Sequence, residues 1–454
     1  MDYYDVSPRV VPANRTSEIS IRPRFKHAQF KREKFKQEQI VKVLHLPFDG
    51  LNQDGVYVNR TAEEAEWHMD GETLVLRAAF RGEQEHSILV YCKAEGKDEF
   101  VRCGFRIYSV EPDLYEMRPY RGNFHIHTTG SDGKEEPSYV AARYRQKGFD
   151  FAAISDHGQY NPSLEAIRFW EKLNLNFRLY PGEEVHAKNN PVHIIHFGGR
   201  YSVNDLWRDN PEQYEKEVNA IRETMPDKNP SVDNFAIASS QWVFEKIREA
   251  DGLSVFCHPY WYTSRYEINE GITGEIFKRR GFDAFEVLGG HFKHQFESNN
   301  FQVVRYYEEQ AKGNRFPVVG LDDSHGTDDF RTVQAGPVYT GSSDCALFGW
   351  YSTIVLAKSD SVQDLIDGIR GFRSCAVSAI EGEIPRIYGT FRMTRYVSFL
   401  LREYFPMHDH FCAEEGALML DYLAGDKNAD DALRLLTGRT AAYREKAFRD
   451  TYEK

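Results

Sequence analysis

Between residues 119 and about 390, short apolar runs alternate with segments of helical spacing, and this alternation limits the fold more than any other feature of the chain. "EEPSYVAARYRQKG" carries charged and apolar residues at helical spacing and stops at Gly148; "FDFAAISDHG" then follows as a buried strand. Repeated strand, helix, strand order predicts parallel strands joined by crossover helices, hence an α/β domain over 119–390. The stretch from 201 to 241 is longer than an ordinary connection. It is expected to belong to a helical insertion over 201–250, near the mouth of the site, where it acts as a lid.

Two regions flank this domain. Residues 1–118 form an N-terminal β-rich domain: "DGETLVLRAAF", "HSILVYCKAEG" and "EFVRCGFRIYSV" are β-branched and aromatic runs separated by turn signals, as in a small antiparallel β-sandwich. Residues 391–454 form a C-terminal helical segment, with "TRYVSFLLREYF", "EEGALMLDYLAG" and "DDALRLLTG" as amphipathic stretches. That segment is expected to pack on the α/β domain or on a second subunit of a homo-oligomer. A chain of 454 residues fits two or three such domains.

The formal charge of -12 argues against a general nucleic-acid binder, which needs clustered Lys and Arg; a short oligonucleotide stays open as a substrate. The basic run from 22 to 36 reads as a solvated segment. The N-terminus lacks a charged start followed by an apolar stretch, and no run is long enough to cross a bilayer, so the expectation is a soluble, cytoplasmic protein. Six scattered cysteines, Cys345 among them, show no metal-knuckle spacing and are expected to be reduced and mostly buried. Cys257 reads as strand core.

Chemistry enters at the strand ends. "NFHIHTTGSDG" supplies His125, His127 and Asp132; "FAAISDH" supplies Asp156 and His157; "LYPGEE" and "VHIIHF" supply Glu183, Glu184, His193 and His196. "LSVFCHP" adds His258, and "FPVVGLDDSH" adds Asp322, Asp323 and His325. Singly, a strand histidine is more often satisfied by a carbonyl than by an ion, and an Asp before a helix is more often a cap. Jointly, six segments that all end in ligand-type side chains, on strands whose C-terminal ends converge, point to one polar site. Imidazole and carboxylate donors without a thiolate cluster suit Zn²⁺, Mn²⁺ or Fe²⁺. A carboxylate that bridges two ions leaves residual positive charge suited to a phosphoryl group.

The motifs "HIHTTGSDG", "ISDHG", "GEEVH" with "VHIIHF", "CHP" and "DDSHG" resemble, in order and spacing, the polymerase and histidinol phosphatase (PHP) superfamily of metal-dependent phosphoesterases, over residues 119 to 380. The resemblance implies a distorted (β/α)7 TIM-like barrel holding two or three divalent metal ions. It implies that His125, His127 and Asp323 bind the first ion and that Glu184 bridges it to a second, held also by His193 and His258. Asp132, His157 and His325 would hold a third, or relay a proton to the leaving group in its absence. Glu183 stays an alternative to Glu184, and Asp322 to Asp323. His186 and His196 are read as supporting or surface residues, Asp156 as orienting His157 or a water, and Glu286, His291 and His294 as rim residues.

The resemblance implies ester hydrolysis by a metal-bridging hydroxide on a small-molecule, phosphorylated substrate. A carbaryl-hydrolase-like branch of the superfamily, which cleaves carbamates or other non-phosphate esters and carries an extra N-terminal domain, is the competing activity. A binding module with a structural metal site is the alternative of another class. Tyr260, Trp261 and Tyr262 are candidates for stacking on a base or sugar, and Lys188, Arg200 and Arg373 for touching a phosphate.

Overall fold

A computed structural model describes residues 3–30, 39–49, 62–94, 96–262, 264–290, 296–327 and 348–449. His291, His294, Cys345 and residues 31–36 of the basic run lie outside them. The chain divides into two compact units, Met1–Arg118 with Arg395–Phe411 and Gly438–Lys454, and Pro119–Thr394 with Cys412–Thr437.

In the first unit the strand Arg15–Pro23 buries Ser17, Ile19 and Ile21 and turns the residues between them outward, the period of two that a sheet imposes. It sits in a four-stranded antiparallel sheet in the order Tyr4–Ser7, Arg15–Pro23, Thr73–Phe80, Glu66–Asp70. A five-stranded sheet runs Val10–Pro12, Phe100–Val110, Gln84–Lys93, Gln39–Pro47, Glu63–Glu64, its first pair parallel and the rest antiparallel. Ile19, Leu74 and Leu76 of one sheet share a core with Val43, Ile88, Val90 and Ile107 of the other, each such side chain contributing about 1.5–3 kcal/mol by burial. Between them lies a polar chain. His45 Nε2 is 2.9 Å from His86 Nδ1, His86 Nε2 is 2.7 Å from Ser109 Oγ, and the Ser109 hydroxyl donates to the Gly82 carbonyl at 2.6 Å. Run in that direction each Nε2 hands its proton to the next acceptor, which leaves His86 neutral with its lone pair on Nδ1. Burial lowers the His45 imidazole, and burial with the neighbouring His45 brings His86 down to about 3.

In the second unit one sheet runs Arg178–Leu179, Phe151–Ala152, Arg118–Asn123, Tyr351–Ala357, Ser374–Ser378, Arg386–Tyr388, and the other Gly182–Val185, Ile194–Phe197, Leu253–Phe256, Ala284–Leu288, Val318–Gly320. Parallel pairing holds from Arg118–Asn123 to Arg178–Leu179 and from Leu253–Phe256 to Val318–Gly320. The all-parallel expectation fails elsewhere. Ile194–Phe197 is antiparallel to both neighbours, because the link from Val185 to Ile194 holds no crossover helix. Among the described residues the strands form two sheets and not one closed ring; isolated parallel bridges, Ile126 to Ser324 and His157 to Glu184, tie their ends together.

Phe124, Phe151 and Val355 share one apolar cluster with Phe197, Val255, Ala284 and Val319 of the second sheet. The stretch after residue 201 forms helices Val203–Asp209, Pro211–Thr224 and Asn234–Glu249, the first capped by Ser202 and the third by Asp233. The third buries Ile237, Trp242, Val243, Phe244 and Ile247 in the largest core cluster, so it is packed interior and not a lid. The C-terminal stretch forms helices Phe391–Glu403, Phe405–Leu423, Ala429–Leu436 and Arg439–Phe448, divided between the two units. Glu415 there makes a buried ion pair with Arg145 at 2.6 Å and accepts the Asn176 backbone N–H at 2.9 Å. Among the described residues no helix is long and apolar enough to cross a membrane.

Candidate metal centre

The strand Arg118–Asn123 runs into His125 and His127, and that segment is held from both sides. The Ser155 hydroxyl accepts the Ile126 N–H at 2.9 Å, and the Ser324 carbonyl accepts the His127 N–H at 2.9 Å. The turn after it is pinned by Asp156, whose carboxylate accepts from the Thr128 N–H (2.7 Å), the Thr128 hydroxyl (2.6 Å) and the Ser131 hydroxyl (2.6 Å). Asp156 therefore positions the turn that carries Asp132. Gly130 and Gly133 serve close approach: a Cβ on Gly133 would lie 2.4 Å from the Thr128 nitrogen, and one on Gly130 2.3 Å from Pro162. Neither needs a left-handed backbone.

All nine residues expected as ligands come together, each within 3.6 Å of another. Glu184 is the hub: its carboxylate lies 2.6 Å from His157 Nδ1, 3.0 Å from His193 Nδ1, 3.2 Å from His258 Nε2, 3.6 Å from His125 Nε2 and 3.5 Å from His127 Nε2. Asp323 Oδ1 lies 2.9 Å from His127 Nε2 and 3.1 Å from His125 Nε2. Asp132 Oδ1 sits 3.5 Å from His157 Nε2 and 3.4 Å from His325 Nε2. The His127 ring is stacked between His157 and His325, with centroids 4.2 and 4.3 Å away. His125, His127, Glu184, His258 and Asp323 are buried, whereas Asp132, His157, His193 and His325 are partly open. The cluster thus has a closed inner end and an open side.

Both ambiguous acid pairs separate cleanly. Glu183 turns away and takes His196 Nδ1 (3.0 Å), the Ser202 hydroxyl (2.7 Å), the Val203 N–H (2.6 Å) and the Asn204 amide (2.8 Å). His196 is consequently buried packing and not a surface residue. Asp322 accepts from the Tyr144 hydroxyl and from the Gly349 and Tyr351 N–H groups at 2.8–3.1 Å, and burial carries it up to about 7. Glu286, expected at the rim, is fully buried: Oε1 lies 3.0 Å from His125 Nδ1 and Oε2 accepts the His258 N–H at 2.9 Å. It holds His125 so that Nε2 faces Asp323 and Glu184. His186, expected as a supporting or surface residue, lies with its Nε2 2.8 Å from His157 Nδ1. Cys257 donates to the His193 carbonyl at 3.1 Å, burial holds its thiol well above the usual range, and its Sγ lies within 4.8 Å of donor atoms of His125, Glu184 and His258. Lys188 pairs with Glu215, Arg200 with Asp251, and Arg373 reaches the Leu356 and Asp367 carbonyls, so these cations are engaged away from the cluster. Tyr260 and Tyr262 direct their hydroxyls to Glu270 and Glu297.

The electrostatics divide the imidazoles: burial opposes charge on all of them, but facing carboxylates outweigh it and raise His125, His157 and His258. Burial disfavours charge on Glu184, yet the facing histidines hold its carboxyl well below the usual range; Asp323 behaves alike beside His125 and His127. Burial lowers His127 to about 3 and His193 to about 4, which keeps both imidazoles neutral and able to ligate. At the open side burial opposes protonation of His325, but Asp132 and Asp323 outweigh it and raise the ring to about 9. Four buried atoms of the cluster, His125 Nε2, His127 Nδ1, Glu184 Oε2 and His193 Nδ1, have no hydrogen-bond partner despite near contacts. Lone pairs facing one another this way are costly unless a cation lies among them. Two site residues, His258 (φ 23°) and Asp323 (φ 50°), are also held in left-handed backbone, a strain of about 1–3 kcal/mol each.

No family model and no curated protein matches the chain. Among solved structures, the chain is similar to a two-domain protein from Bacteroides vulgatus containing a predicted PHP-like metal-dependent phosphoesterase (18% identity, TM-score 0.35, 58% of this chain and 66% of that one). It is also similar to an amidohydrolase from Chromobacterium violaceum (15%, TM-score 0.29, 45% and 87%). A third similar structure is a protein from Bifidobacterium adolescentis assigned as a metal-dependent phosphoesterase (18%, TM-score 0.30, 45% and 87%).

Proposed function

We propose that the chain is a metal-dependent hydrolase, most simply a phosphoesterase acting on a small phosphorylated substrate, with its centre on a distorted barrel built from the two sheets of the second unit. The observation that carries this reading is the convergence of six imidazoles within 3.6 Å of the buried Glu184, with four buried atoms left without hydrogen-bond partners. His125, His127, Glu184 and Asp323 would hold one ion at the closed end, His193 and His258 would share Glu184 with a second, and Asp132, His157 and His325 would hold a third. When bound, two or three ions of Zn²⁺, Mn²⁺ or Fe²⁺ would acidify a water and stabilise charge on the ester oxygens.

The chain's own groups supply the rest. Glu286 keeps the His125 proton on Nδ1, Glu183 accepts the Val203 N–H, and Asp156 accepts the Thr128 N–H of the turn that carries Asp132. His325, protonated at neutral pH beside Asp132, is placed at the open side to give its Nε2 proton to a leaving oxygen if the third ion is absent. Cleavage of carbamate or other non-phosphate esters is the second reading, supported by the β-rich N-terminal region that accompanies the centre. The test is metal analysis of the purified protein followed by a screen of p-nitrophenyl phosphate, its diester, sugar phosphates, short oligonucleotides and carbamate esters with each metal. Chelator-sensitive turnover of a phosphate ester is expected. Metal that stays bound without turnover of any ester would support a structural site instead.

A further inference from the structure

We propose that His186 is itself a metal ligand, forming with His157, Glu184 and His193 an ion position at the open side of the centre; this rests on the metal-hydrolase reading above. Glu184 and His186 stand two residues apart at the end of Gly182–Val185, the same spacing that sends His125 and His127 into the pocket together. The His186 backbone N–H is fixed by the Asn204 side-chain oxygen at 3.1 Å, and the Asn204 amide is anchored on Glu183 and on the Glu184 carbonyl. The His186 backbone is therefore fixed beside the site, with its ring half-buried there.

The donor atoms of His157, Glu184, His186 and His193 all lie within 4.8 Å of one another. Donors on one ion at about 2.1 Å span up to about 4.2 Å, so gathering them needs side-chain shifts below an ångström. Proton counting points the same way. His157 Nδ1 faces Glu184 Oε2 at 2.6 Å and His186 Nε2 at 2.8 Å, and His186 Nε2 lies 3.5 Å from the same Glu184 oxygen. One proton on His157 Nδ1 cannot serve both neighbours fully, and Glu184 Oε2 and His193 Nδ1 remain buried without hydrogen-bond partners. The His186 and His193 rings lie face near face, with centroids 3.9 Å apart. Three imidazoles and one carboxylate suit Zn²⁺ or Fe²⁺ better than Mg²⁺ or Ca²⁺, which prefer oxygen donors. His157 offers Nδ1 here and Nε2 to Asp132 and His325, so it stands between this position and the outer one.

The test compares the full chain with His186→Ala, His186→Gln and Glu184→Gln after stripping and reloading with Zn²⁺ or Co²⁺. Readouts are metal equivalents per chain, chelator competition and the visible absorption of bound Co²⁺, with matched circular dichroism as the folding control. Both His186 variants are expected to lose one equivalent, or to bind it at least tenfold more weakly, with a changed Co²⁺ spectrum. Unchanged equivalents, affinity and spectrum in His186→Ala would overturn the proposal. So would loss in His186→Ala with full retention in His186→Gln, since that pattern belongs to a hydrogen-bonding role. A parent chain that takes up no metal would overturn the underlying reading as well, whereas metal lost only in Glu184→Gln would remove His186 alone.

Discussion

Each of the two units buries a group of histidines, and the groups are built on different rules. In the first unit His45, His86 and Ser109 form a one-way chain that ends on a carbonyl, and no buried ring nitrogen there lacks a partner. In the second, imidazoles crowd around Glu184 and Asp323, and buried donor atoms face one another unpaired. Buried histidine is thus no mark of a metal centre by itself. What separates the groups is whether the chain's own hydrogen bonds complete them.

The largest expected break in that contrast is Glu184→Gln, which removes the shared charge. Hydrolysis should fall by at least about 10²–10³-fold, with metal content reduced. Initial rates beside elemental analysis decide it, and a fully loaded, active variant would refute the hub role. Next, Glu286→Gln should free the His125 ring to choose its tautomer and weaken metal binding or activity about 10–100-fold, read by chelator competition. In the first unit His86→Ala should destabilise by about 1–3 kcal/mol, because His45 and Ser109 lose their partner, while metal content stays that of the parent. Urea unfolding and metal analysis on the same samples separate the two effects.

A further expected effect is on pH. His86 sits near 3 when folded and at 6.5 when unfolded, so as pH falls below 6.5 the unfolded chain takes up a proton that the folded chain refuses. Stability should fall between those values by up to about 1.4 kcal/mol per pH unit from this residue. A urea-midpoint series from pH 7.5 to 4.5 should be flatter in His86→Ala; equal slopes would rule out the assignment.

The convergence of strand-end residues was legible because period and order are local properties. The choice between Glu183 and Glu184 was not, since Gly182–Val185 is buried along its whole length and no polar face marks which side points inward. Glu286 was misplaced at the rim because its partner His125 lies 161 residues away, beyond any local pattern.

The fit of Gly133 against the backbone of His127 and Thr128 has a mechanical consequence. The Gly133 N–H donates to the Thr128 carbonyl at 2.9 Å, and there is no room for even one carbon between the two strands of the turn. Asp132 at the open side is thereby tied to His127 at the closed end through one short turn, and a side chain added at Gly133 would strain both ends together.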